Sequence, residues 1–223
     1  MTERQRLPKE TLERFRALST STVSDAMDRL GIAGTVEGLG PTNEASSIAG
    51  QAFTLAYLPV GVDGGSVGDF LDQVGPGDIV VIDNRGRTDC TVWGNIMTEV
   101  AKMRGVEGTV IDGVNRDLAE SRAISYPIWS RRGYMRTGKD RVMLAGINVP
   151  VCLGAVLVSP GDVVCADENG VVVVPLQKAE AVLATALAID EKEEAILGDI
   201  RNGVALGEAR ARHGYHSLQT RAE

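Results

Sequence analysis

The middle of the chain alternates between strand-like and helix-like segments, and this alternation limits the possible folds more than any other feature. Apolar runs at 79–83, 109–112 and 127–130 have the length of buried strands, and segments 95–104 and 118–123 between them have the apolar spacing of helices. A strand–helix–strand–helix–strand order predicts crossover connections, and crossovers join parallel strands. The sequence therefore predicts an α/β domain built on a parallel sheet.

The flanking segments add helices on both sides of this unit. Apolar residues at helical spacing predict two helices near the N-terminus, separated by a break within 19–24 where Ser and Thr can cap the second helix. Apolar positions through 176–202 predict one long C-terminal helix. Because no segment has the composition of a linker, the sequence predicts a single domain over 1–223, with a C-terminal helical arm and tail at 176–223.

Two stretches of the chain echo each other. The sequences "VGPGDIVVIDNRG" at 74–86 and "VSPGDVVCADENG" at 158–170 share Val, Pro-Gly-Asp, Val, Asp and Gly at matching positions. Each predicts a Pro-Gly turn, a short buried strand and a second turn. Because no other part of the chain repeats, we interpret them as two similar units of one sheet system rather than as an internal duplication.

Charge and hydropathy narrow the classes of partner. The chain carries 30 acidic and 23 basic residues, and its formal charge of −7 argues against a nucleic-acid partner, because phosphates need a basic face. An anionic substrate would then need a local positive group, either a metal ion or a specific arginine. The N-terminal segment is charged and lacks the apolar core of a signal peptide, and no apolar run is long enough to span a bilayer. These features predict a soluble, cytoplasmic protein without a membrane partner.

The three cysteines predict neither disulfides nor a metal cage. Cys90, Cys152 and Cys165 are odd in number and lack the spacing of metal ligands. Cys152 and Cys165 lie in valine-rich runs, where a buried thiol behaves as a small apolar group. We expect all three to be reduced and structural.

The segment "VIDGVNRDLAE" raises the main functional question, because an apolar strand leads within four residues to adjacent Arg116 and Asp117. Geometry predicts where this pair lies. A helix of about ten residues starting at Asn95 carries the chain ~15 Å away, and the next strand returns it by ~16 Å. Residues 113–117 are therefore expected beside Gly94 and Asn95, at the carboxyl edge of the strands, where open α/β sheets bind ligands.

This edge offers groups that suit an anion and a metal ion. The amides of Asn95, Ile96 and Met97 would be free at the start of the helix and could bind a carboxylate or a phosphate. Arg116 would add a permanently charged fork that matches a carboxylate or an enolate oxygen. Asp117 could hold a hard divalent cation that keeps several of its waters.

Helix capping is the alternative interpretation of the same residues. In "DLAE", Asp117 would be the N-cap of the following helix, and Glu120 would reach back from the third helical position to complete a capping box. On pattern alone this is the simpler explanation, and Arg116 would then be a solvated surface residue. Two other polar segments are weaker candidates for a functional site. The Gly-rich stretch 61–69 predicts a flexible loop because it matches no phosphate loop. The segment "SRRG" at 130–133 predicts a surface turn.

Several of these motifs together resemble the RraA-like family, which includes the 4-hydroxy-4-methyl-2-oxoglutarate/4-carboxy-4-hydroxy-2-oxoadipate aldolases. The motifs occur in the family's order: "LSTSTVSDAMDRLG", "SIAGQAFTL", "GPGDIVVID", "WGNIMTEVAKMRGVEGTVIDGVNRD", "YPIWSRRG" and "PGDVVCADENGVVVVP". The resemblance covers a core of about 18–175. It implies a swivelling β/β/α-type domain, assembled as a homotrimer or as a hexamer of two trimers, with sites at subunit interfaces.

The resemblance also implies roles for single residues. The aldolases of the family carry Asp, twenty intervening residues and then Arg-Asp, and Arg116 and Asp117 match the second half of this pattern. It implies that Asp117 binds Mg²⁺ or Mn²⁺, that Arg116 contacts the keto or enolate oxygen, and that residue 95 supports a water on the metal. Position 95 is Asn here, where the aldolases have Asp and the RraA inhibitors of ribonuclease E commonly have Gly. Asn95 can hydrogen-bond such a water but cannot take its proton.

The family further supplies an acidic residue from the C-terminal helix of a neighbouring subunit. Glu194 is the expected residue, with Glu191 and Glu193 as alternatives. The implied function is that of a metal-dependent lyase on small 2-oxo acids, whose carboxylate would also reach the amides of residues 94–97. It would act by retro-aldol cleavage or by oxaloacetate-type decarboxylation through a pyruvate enolate, and Asn95 favours decarboxylation.

Two other functions remain open from the sequence. The first is a regulator that binds a ribonuclease without catalysis, against which the retained Arg-Asp pair is a weak argument because regulators can keep that pair. The second is a metal-dependent enzyme that acts on another hydroxy or sugar acid.

Overall fold

The computed structural model describes residues 5–43, 47–62 and 64–215, and within these ranges it contains helices at both ends and alternating helices and strands between them. The α-helices are α1 (Lys9–Ala17), α2 (Thr20–Arg29), α3 (Asn95–Met103), α4 (Leu118–Ala123), α5 (Ala179–Arg201) and α6 (Leu206–His213). The β-strands are β1 (Thr35–Val36), β2 (Gly40–Pro41), β3 (Ile48–Pro59), β4 (Asp78–Asp83), β5 (Gly108–Asn115), β6 (Ile128–Gly133), β7 (Val142–Ile147), β8 (Val151–Leu153), β9 (Val156–Val158), β10 (Val163–Asp167) and β11 (Gly170–Val174). Short 3₁₀ turns lie at Leu71–Gln73 and Leu176–Lys178.

Nine of these strands form one mixed sheet. Its order is β1–β11–β10–β3–β4–β5–β6–β2, and β7 also pairs with β3. Strands β3, β4, β5 and β6 are parallel neighbours, and α3 and α4 lie in the crossovers from β4 to β5 and from β5 to β6. The predicted parallel unit is therefore confirmed. The other pairings in the sheet are antiparallel, and β8 and β9 form a separate hairpin.

The two echoing stretches form β4 and β10, which pair with opposite edges of β3. In each unit the aspartate after Pro-Gly, Asp78 or Asp162, accepts a hydrogen bond from the amide three residues before it, at 3.0 and 2.8 Å. The aspartate that ends each strand, Asp83 or Asp167, accepts one from the amide two residues after it, at 2.8 Å in both units. The interpretation as two similar units of one sheet is confirmed, and the shared aspartates are explained by these turns.

Both faces of the parallel strands are buried. One face packs against α3 and the segment before it, through a cluster that includes Phe53, Ile82 and Trp93. The other face packs against the β8–β9 hairpin, through a cluster that includes Val81 and Trp129. Because successive residues of a strand point to opposite faces, strands covered on both sides have the continuous apolar runs seen in the sequence. A third cluster packs α1, α2 and α5 against β10 and β11.

The helices at the two ends of the chain match the predictions to different degrees. Ser19 separates α1 from α2, and its hydroxyl accepts a hydrogen bond from the Thr22 amide at 3.0 Å, so the predicted cap is confirmed. The long helix predicted at 176–202 is wrong in its first turn, because the chain forms a 3₁₀ turn there and α5 begins at Ala179. The predicted C-terminal helical arm is present as α5 and α6, and the first half of α5 packs with α1 and α2 in the core. No helix in the described ranges is both long and apolar enough to cross a bilayer.

Two local predictions are wrong. Segment 130–133 lies within β6, where it pairs with neighbouring strands, and is not a surface turn. Cys152 is exposed rather than buried, because it is the middle residue of β8, whose flanking Val151 and Leu153 face the core, and side chains alternate along a strand. Cys90 and Cys165 are buried free thiols, as predicted, and burial raises the pKa of Cys165 to about 12.

Candidate active site

A buried hydrogen-bond network fixes the start of α3. The indole Nε1 of Trp93 donates to Thr98 Oγ1 at 2.9 Å, and Thr98 Oγ1 donates to the carbonyl oxygen of Gly94 at 3.0 Å. The Trp93 ring also stacks on Tyr126, with ring centroids 6.2 Å apart, and the Tyr126 hydroxyl bonds Thr109 of β5 at 2.9 Å. Burial raises the pKa of Tyr126, so this phenol stays protonated, and either hydroxyl of the pair can donate the bond between them. These contacts hold Gly94 and the first turn of α3 against the parallel strands.

Asp117 lies on the other side of this edge, after the end of β5, and its backbone is left-handed, with φ 57° and ψ 47°. Its carboxylate Oδ2 accepts a hydrogen bond from the Asn95 amide at 2.9 Å and a second contact from Arg116 Nε at 3.2 Å. The predicted meeting of residues 113–117 with Gly94 and Asn95 is therefore confirmed. We call Gly94, Asn95, Arg116 and Asp117 the edge site.

The capping-box interpretation of Asp117 is wrong. Asp117 precedes α4, but its side chain makes no hydrogen bond to that helix. An N-cap residue normally has extended dihedrals that turn its side chain toward the helix it caps. The left-handed backbone of Asp117 does not satisfy this requirement, and its carboxylate binds the first amide of α3 instead. The expectation that the Asn95 amide is free is wrong for the same reason.

Gly94 allows the edge-site side chains to approach the backbone closely. A Cβ atom on Gly94 would lie 2.7 Å from Asp117 Oδ2, closer than real Cβ contacts, and 3.0 Å from Arg116 Nε, so a larger residue would require these side chains to shift. The Arg116 amide also donates to the Trp93 carbonyl at 3.1 Å, which ties the two segments together. The site is thus built from two backbone segments in direct contact.

Arg116 keeps part of its bonding capacity. Its Nε contacts Asp117, and within the described ranges no hydrogen bond or ion pair involves Nη1 or Nη2. The side chain is 38% exposed and that of Asp117 is 29% exposed, so both reach solvent at this edge. An arginine fork with free Nη groups suits a carboxylate or a keto oxygen.

A cavity of about 120 Å³ adjoins Arg116, and we call it the edge cavity. Its lining residues are uncharged apart from Arg116, and they are Tyr57, Val67, Gly68, Thr91, Val92, Trp93, Gly94, Met97, Arg116, Thr137 and Gly138. The Tyr57 hydroxyl donates to the Val67 carbonyl at 2.7 Å, and burial raises the pKa of this phenol. The cavity therefore has one cationic group on an otherwise neutral wall.

Of the remaining predicted site residues, one lines this cavity and the others do not. Met97 lines it, whereas the side chains of Asn95 and Ile96 are exposed at the start of α3. Glu194 lies on α5, where its side chain is 63% exposed and forms a 3.5 Å ion pair with Arg201. Within the described part of the chain no hydrogen bond or ion pair joins Glu194 to the edge site, so its role in a neighbouring subunit's site stays a prediction.

The edge site fits a cation that needs few protein ligands. Among the described residues no three His, Cys, Asp or Glu side chains are grouped so that they could hold a metal ion. A metal cage made entirely of side chains is therefore not formed by the described residues of one chain. Mg²⁺ and Mn²⁺ favour oxygen ligands, and Mg²⁺ often takes one or two carboxylates and keeps several waters. The partly exposed carboxylate of Asp117 matches that pattern of ligands.

A second arginine–aspartate pair at the same end of the sheet is not predicted by the sequence. Asp112 of β5 is buried, and its Oδ1 contacts Arg131 Nε and Nη2, both at 2.7 Å. Its Oδ2 accepts a hydrogen bond from the Gly154 amide, in the turn of the β8–β9 hairpin, at 2.9 Å. We call Asp112 and Arg131 the buried pair. The sequence signal for this pair is that both residues follow an apolar run. "SRRG" comes directly after one such run, and Asp112 comes directly after another.

Comparison with known proteins shows relatives over most of the chain. A family model described as RraA-like, Aldolase/RraA, matches residues 20–173. "Protein DlpA" of Legionella pneumophila is 36% identical over 200 residues, which cover 88% of this chain, and this chain spans only 32% of that relative's length. A "Putative 4-hydroxy-4-methyl-2-oxoglutarate aldolase" of Halalkalibacterium halodurans is 34% identical over 193 residues, which cover 84% of this chain and 89% of that protein.

Solved structures share the fold. The crystal structure of an uncharacterized protein from Pseudomonas syringae pv. tomato has a TM-score of 0.86 at 38% identity, over 92% of this chain and 99% of that one. Streptomyces coelicolor RraAS2, described as an unusual member of the RNase ES inhibitor RraA protein family, has a TM-score of 0.79 at 29% identity, over 88% and 100% of the two chains. The predicted RraA-like α/β fold is confirmed. With a family model that matches more than half of its length, and with relatives of this similarity, the chain belongs to the RraA-like family.

Proposed function

We propose that the edge site releases pyruvate from small 2-oxo acids, with a divalent metal ion as cofactor. The reaction would be decarboxylation of an oxaloacetate-type acid or retro-aldol cleavage of a 4-hydroxy-2-oxo acid. The observation that carries the proposal is the 2.9 Å hydrogen bond between the Asn95 amide and Asp117, which brings Arg116 and Asp117 to the start of α3 beside a small cavity. The aldolase name of a relative supports the same class of reaction.

Arg116 is proposed to bind the keto oxygen of the substrate. Its Nε is held by Asp117, which leaves Nη1 and Nη2 for the ligand. During cleavage negative charge develops on the keto oxygen, and a guanidinium fixed beforehand stabilises that charge more than it stabilises the neutral ketone. The Asp117 contact therefore orients the catalytic cation before the substrate arrives.

The first turn of α3 is proposed to bind the substrate carboxylate. The first amides of a helix have no partner within the helix, and they favour an anion. Since Asp117 already occupies the Asn95 amide, the amides of Ile96 and Met97 are the ones left for the substrate. Asp117 is the proposed metal ligand, and a bound Mg²⁺ or Mn²⁺ would act as a Lewis acid on the keto oxygen.

The two proposed reactions differ in whether they need a base, and Asn95 cannot serve as one. In both, the C3–C4 bond breaks and its electron pair becomes the C2–C3 double bond of the pyruvate enolate, whose C3 then takes a proton from solvent. Decarboxylation releases CO2 and requires no base in that step. Retro-aldol cleavage requires removal of the C4 hydroxyl proton, which an asparagine amide cannot accept. Aldol activity would therefore depend on another base, and Glu194 of a neighbouring subunit in a trimer or hexamer is the proposed one.

A panel of 2-oxo acids tests this proposal directly. Oxaloacetate, 4-hydroxy-2-oxo acids and selected hydroxy and sugar acids are incubated with the full chain and Mg²⁺ or Mn²⁺, and pyruvate release is followed with a coupled dehydrogenase. We expect release by the wild type, loss in Asp117→Asn, and wild-type rates in Asp89→Asn. Asp89 is the matched control because it forms an exposed pair with Arg87, at 2.8 Å, outside the edge site. Absence of pyruvate from every substrate, or full activity in Asp117→Asn, would contradict the proposal.

Regulation of a ribonuclease is the second candidate function. It is favoured by the TM-score of 0.79 with RraAS2, which is described as a member of a family of ribonuclease inhibitors. It is also favoured by Asn95, which removes the acid/base group of the aldolases. A pull-down with a purified ribonuclease of this type separates the two functions. Specific binding that is unchanged in Asp117→Asn, together with no pyruvate release, would favour the regulator.

A further inference from the structure

A buried threonine beside the edge site has a role that follows from the proposed function and rests on it. We infer that Thr91 is a positioning residue. Its hydroxyl sets the separation between Arg116, which is assigned to the keto oxygen, and the first turn of α3, which is assigned to the substrate carboxylate. Thr91 is 4% exposed and lines the edge cavity.

The Thr91 hydroxyl joins the two backbone segments that build the edge site. Its Oγ1 lies 2.9 Å from two carbonyl oxygens, that of Val114 in β5 and that of Trp93 before α3. The same Oγ1 accepts a hydrogen bond from the Trp93 amide at 3.2 Å. Val114 comes two residues before Arg116, and Trp93 comes two residues before Asn95. One hydroxyl group therefore bonds both segments just before they enter the site.

The backbone of Thr91 is held by bonds that do not involve its side chain. Its amide donates to the carbonyl oxygen of Arg136 at 2.9 Å, and it forms parallel bridges with Val114 and with Thr137. A hydroxyl on a backbone fixed in this way is a stationary partner for the two carbonyl groups. Trp93 and Val114 are buried as well, so the bonds lie in a low-dielectric interior, where hydrogen bonds are strong and a lost partner is costly.

The Trp93 carbonyl connects this hydroxyl to the proposed chemistry. It accepts the Arg116 amide at 3.1 Å in addition to its contact with Thr91. The distance from Arg116 to the start of α3 therefore depends on where this carbonyl is held. A displacement of about 1 Å would move the guanidinium away from the developing enolate oxygen, and displacements of that size can cost ~10²-fold in rate.

Two ligands test this role without turnover. Oxalate has the planar shape of the pyruvate enolate and a charged oxygen at the position where pyruvate has a neutral keto oxygen. Calorimetry with the full chain in Mg²⁺ should show that Thr91→Val lowers the ratio of oxalate affinity to pyruvate affinity by about tenfold, because the charged oxygen depends more on the position of Arg116. A loss of folded protein would instead lower the number of binding sites and leave this ratio unchanged.

Two further variants are the matched controls. Thr91→Ser keeps the hydroxyl and should keep the wild-type ratio. Thr54→Val removes another buried threonine hydroxyl, which donates to the Val149 carbonyl at 2.6 Å, and Thr54 is not among the described residues that line the edge cavity. This control should also keep the wild-type ratio. An unchanged ratio in Thr91→Val, an equal loss in Thr54→Val or no recovery in Thr91→Ser would overturn the inference.

Amide hydrogen exchange tests the same role whether or not the chain has the proposed activity. The Asn95 amide bonds Asp117 and the Arg116 amide bonds Trp93, so both report on the contact between the two segments. We expect both amides to exchange about tenfold faster in Thr91→Val than in wild type or Thr54→Val, because the segments open locally. Unchanged exchange would overturn the inference. Faster exchange in Thr91→Val, with neither oxalate nor pyruvate bound by the wild type, would support the role of Thr91 in joining the segments and would contradict the proposed function.

Discussion

Two arginine–aspartate pairs lie at the carboxyl end of the parallel strands, and they differ in burial, in sequence separation and in the number of bonds they make. The buried pair joins Asp112 and Arg131 beside the β8–β9 hairpin, and the Asp112 side chain is 6% exposed. Its carboxylate receives three N–H groups, two from Arg131 and one from Gly154. Arg116 and Asp117 are adjacent in sequence beside α3, and they share one contact of 3.2 Å.

The difference indicates which pair stabilises the fold and which one binds a ligand. The acceptors of Asp112 are satisfied within the protein, so this pair anchors the hairpin to β5 and β6. Arg116 has free Nη groups, and Asp117 has a left-handed backbone that directs its carboxylate to a helix start. A left-handed backbone costs a non-glycine residue of order 1–3 kcal/mol, and Arg85, Ser125, Asp140 and Asn148 share it outside the edge site. Spare bonding capacity is therefore what distinguishes the edge site from a structural ion pair.

Metal removal is expected to have the largest effect and to act on one pair only. Chelation with EDTA should abolish pyruvate release, and Mg²⁺ or Mn²⁺ should restore it, because the edge site offers oxygen ligands. Electron paramagnetic resonance of Mn²⁺ should show binding that Asp117→Asn removes. Undiminished turnover in the presence of chelator, or Mn²⁺ binding that survives Asp117→Asn, would break the proposed assignment of the two pairs.

Stability should respond to the two aspartates in the opposite order. Asp112→Asn leaves the Arg131 charge without its partner, and we expect a loss of ~2–4 kcal/mol in the free energy of unfolding. This is slightly below the ~3–5 kcal/mol of a fully buried pair because Arg131 reaches solvent. Asp117→Asn should cost less than ~1 kcal/mol, as exposed ion pairs contribute little. Urea unfolding at one protein concentration measures both, and similar losses in the two variants would remove the distinction.

Substitution of the two arginines by lysine should separate activity from stability. Arg116→Lys is expected to lower kcat/KM by ~10²-fold and to remain folded, since a point-charge ammonium cannot reproduce the contacts of the fork with the keto oxygen and Asp117. Arg131→Lys should instead lower the free energy of unfolding and leave kcat/KM within about threefold of wild type at temperatures where it is folded. Steady-state kinetics beside thermal unfolding check this, and near-wild-type rates in Arg116→Lys would make Arg116 a surface residue.

The position of the edge site could be predicted from the sequence because it depends on lengths alone. A helix and a strand of known rise must bring residue 117 back to residue 94, and the 2.9 Å bond between the Asn95 amide and Asp117 confirms this. The direction of the Asp117 side chain could not be predicted. The letters "DLAE" fit a capping box, and only the left-handed backbone excludes it.

The buried pair could not be predicted because it depends on how two strands align. Strands β5 and β6 change register between Ile111 and Val114, so the partner of Asp112 across the sheet cannot be counted from either strand alone. The sequence alone therefore predicts a surface turn at Arg131. The exposure of Cys152 could not be predicted either, since Val151 and Leu153 are as apolar as Cys152, and only the structure shows that they face the core while Cys152 faces away from it.

Asn95 can contribute to the edge site in two ways. Its backbone amide donates a hydrogen bond to Asp117, and its exposed side chain can reach a bound ligand. If residue 95 sets proton transfer at the edge site, Asn95→Asp should raise retro-aldol cleavage more than decarboxylation, since only the former removes a hydroxyl proton. A positioned base contributes ~10²–10⁴-fold. We expect about tenfold in the ratio of the two rates, because no contact in the described chain holds the side chain in place.

The alternative is that Asn95 matters only through its backbone amide, which an aspartate would supply equally well. A new carboxylate beside Asp117 also adds repulsion between like charges, which would change metal affinity and so alter both reactions together. Measuring both rates at saturating Mg²⁺ on wild type and Asn95→Asp separates these effects, with Asn95→Ala as the control that removes the side chain without adding a base. A change in the ratio of aldol to decarboxylase rates in the Asp variant alone assigns proton transfer to position 95. Equal changes in both rates would assign it to metal binding, and unchanged rates would leave residue 95 with the scaffold, through the single amide that holds Asp117.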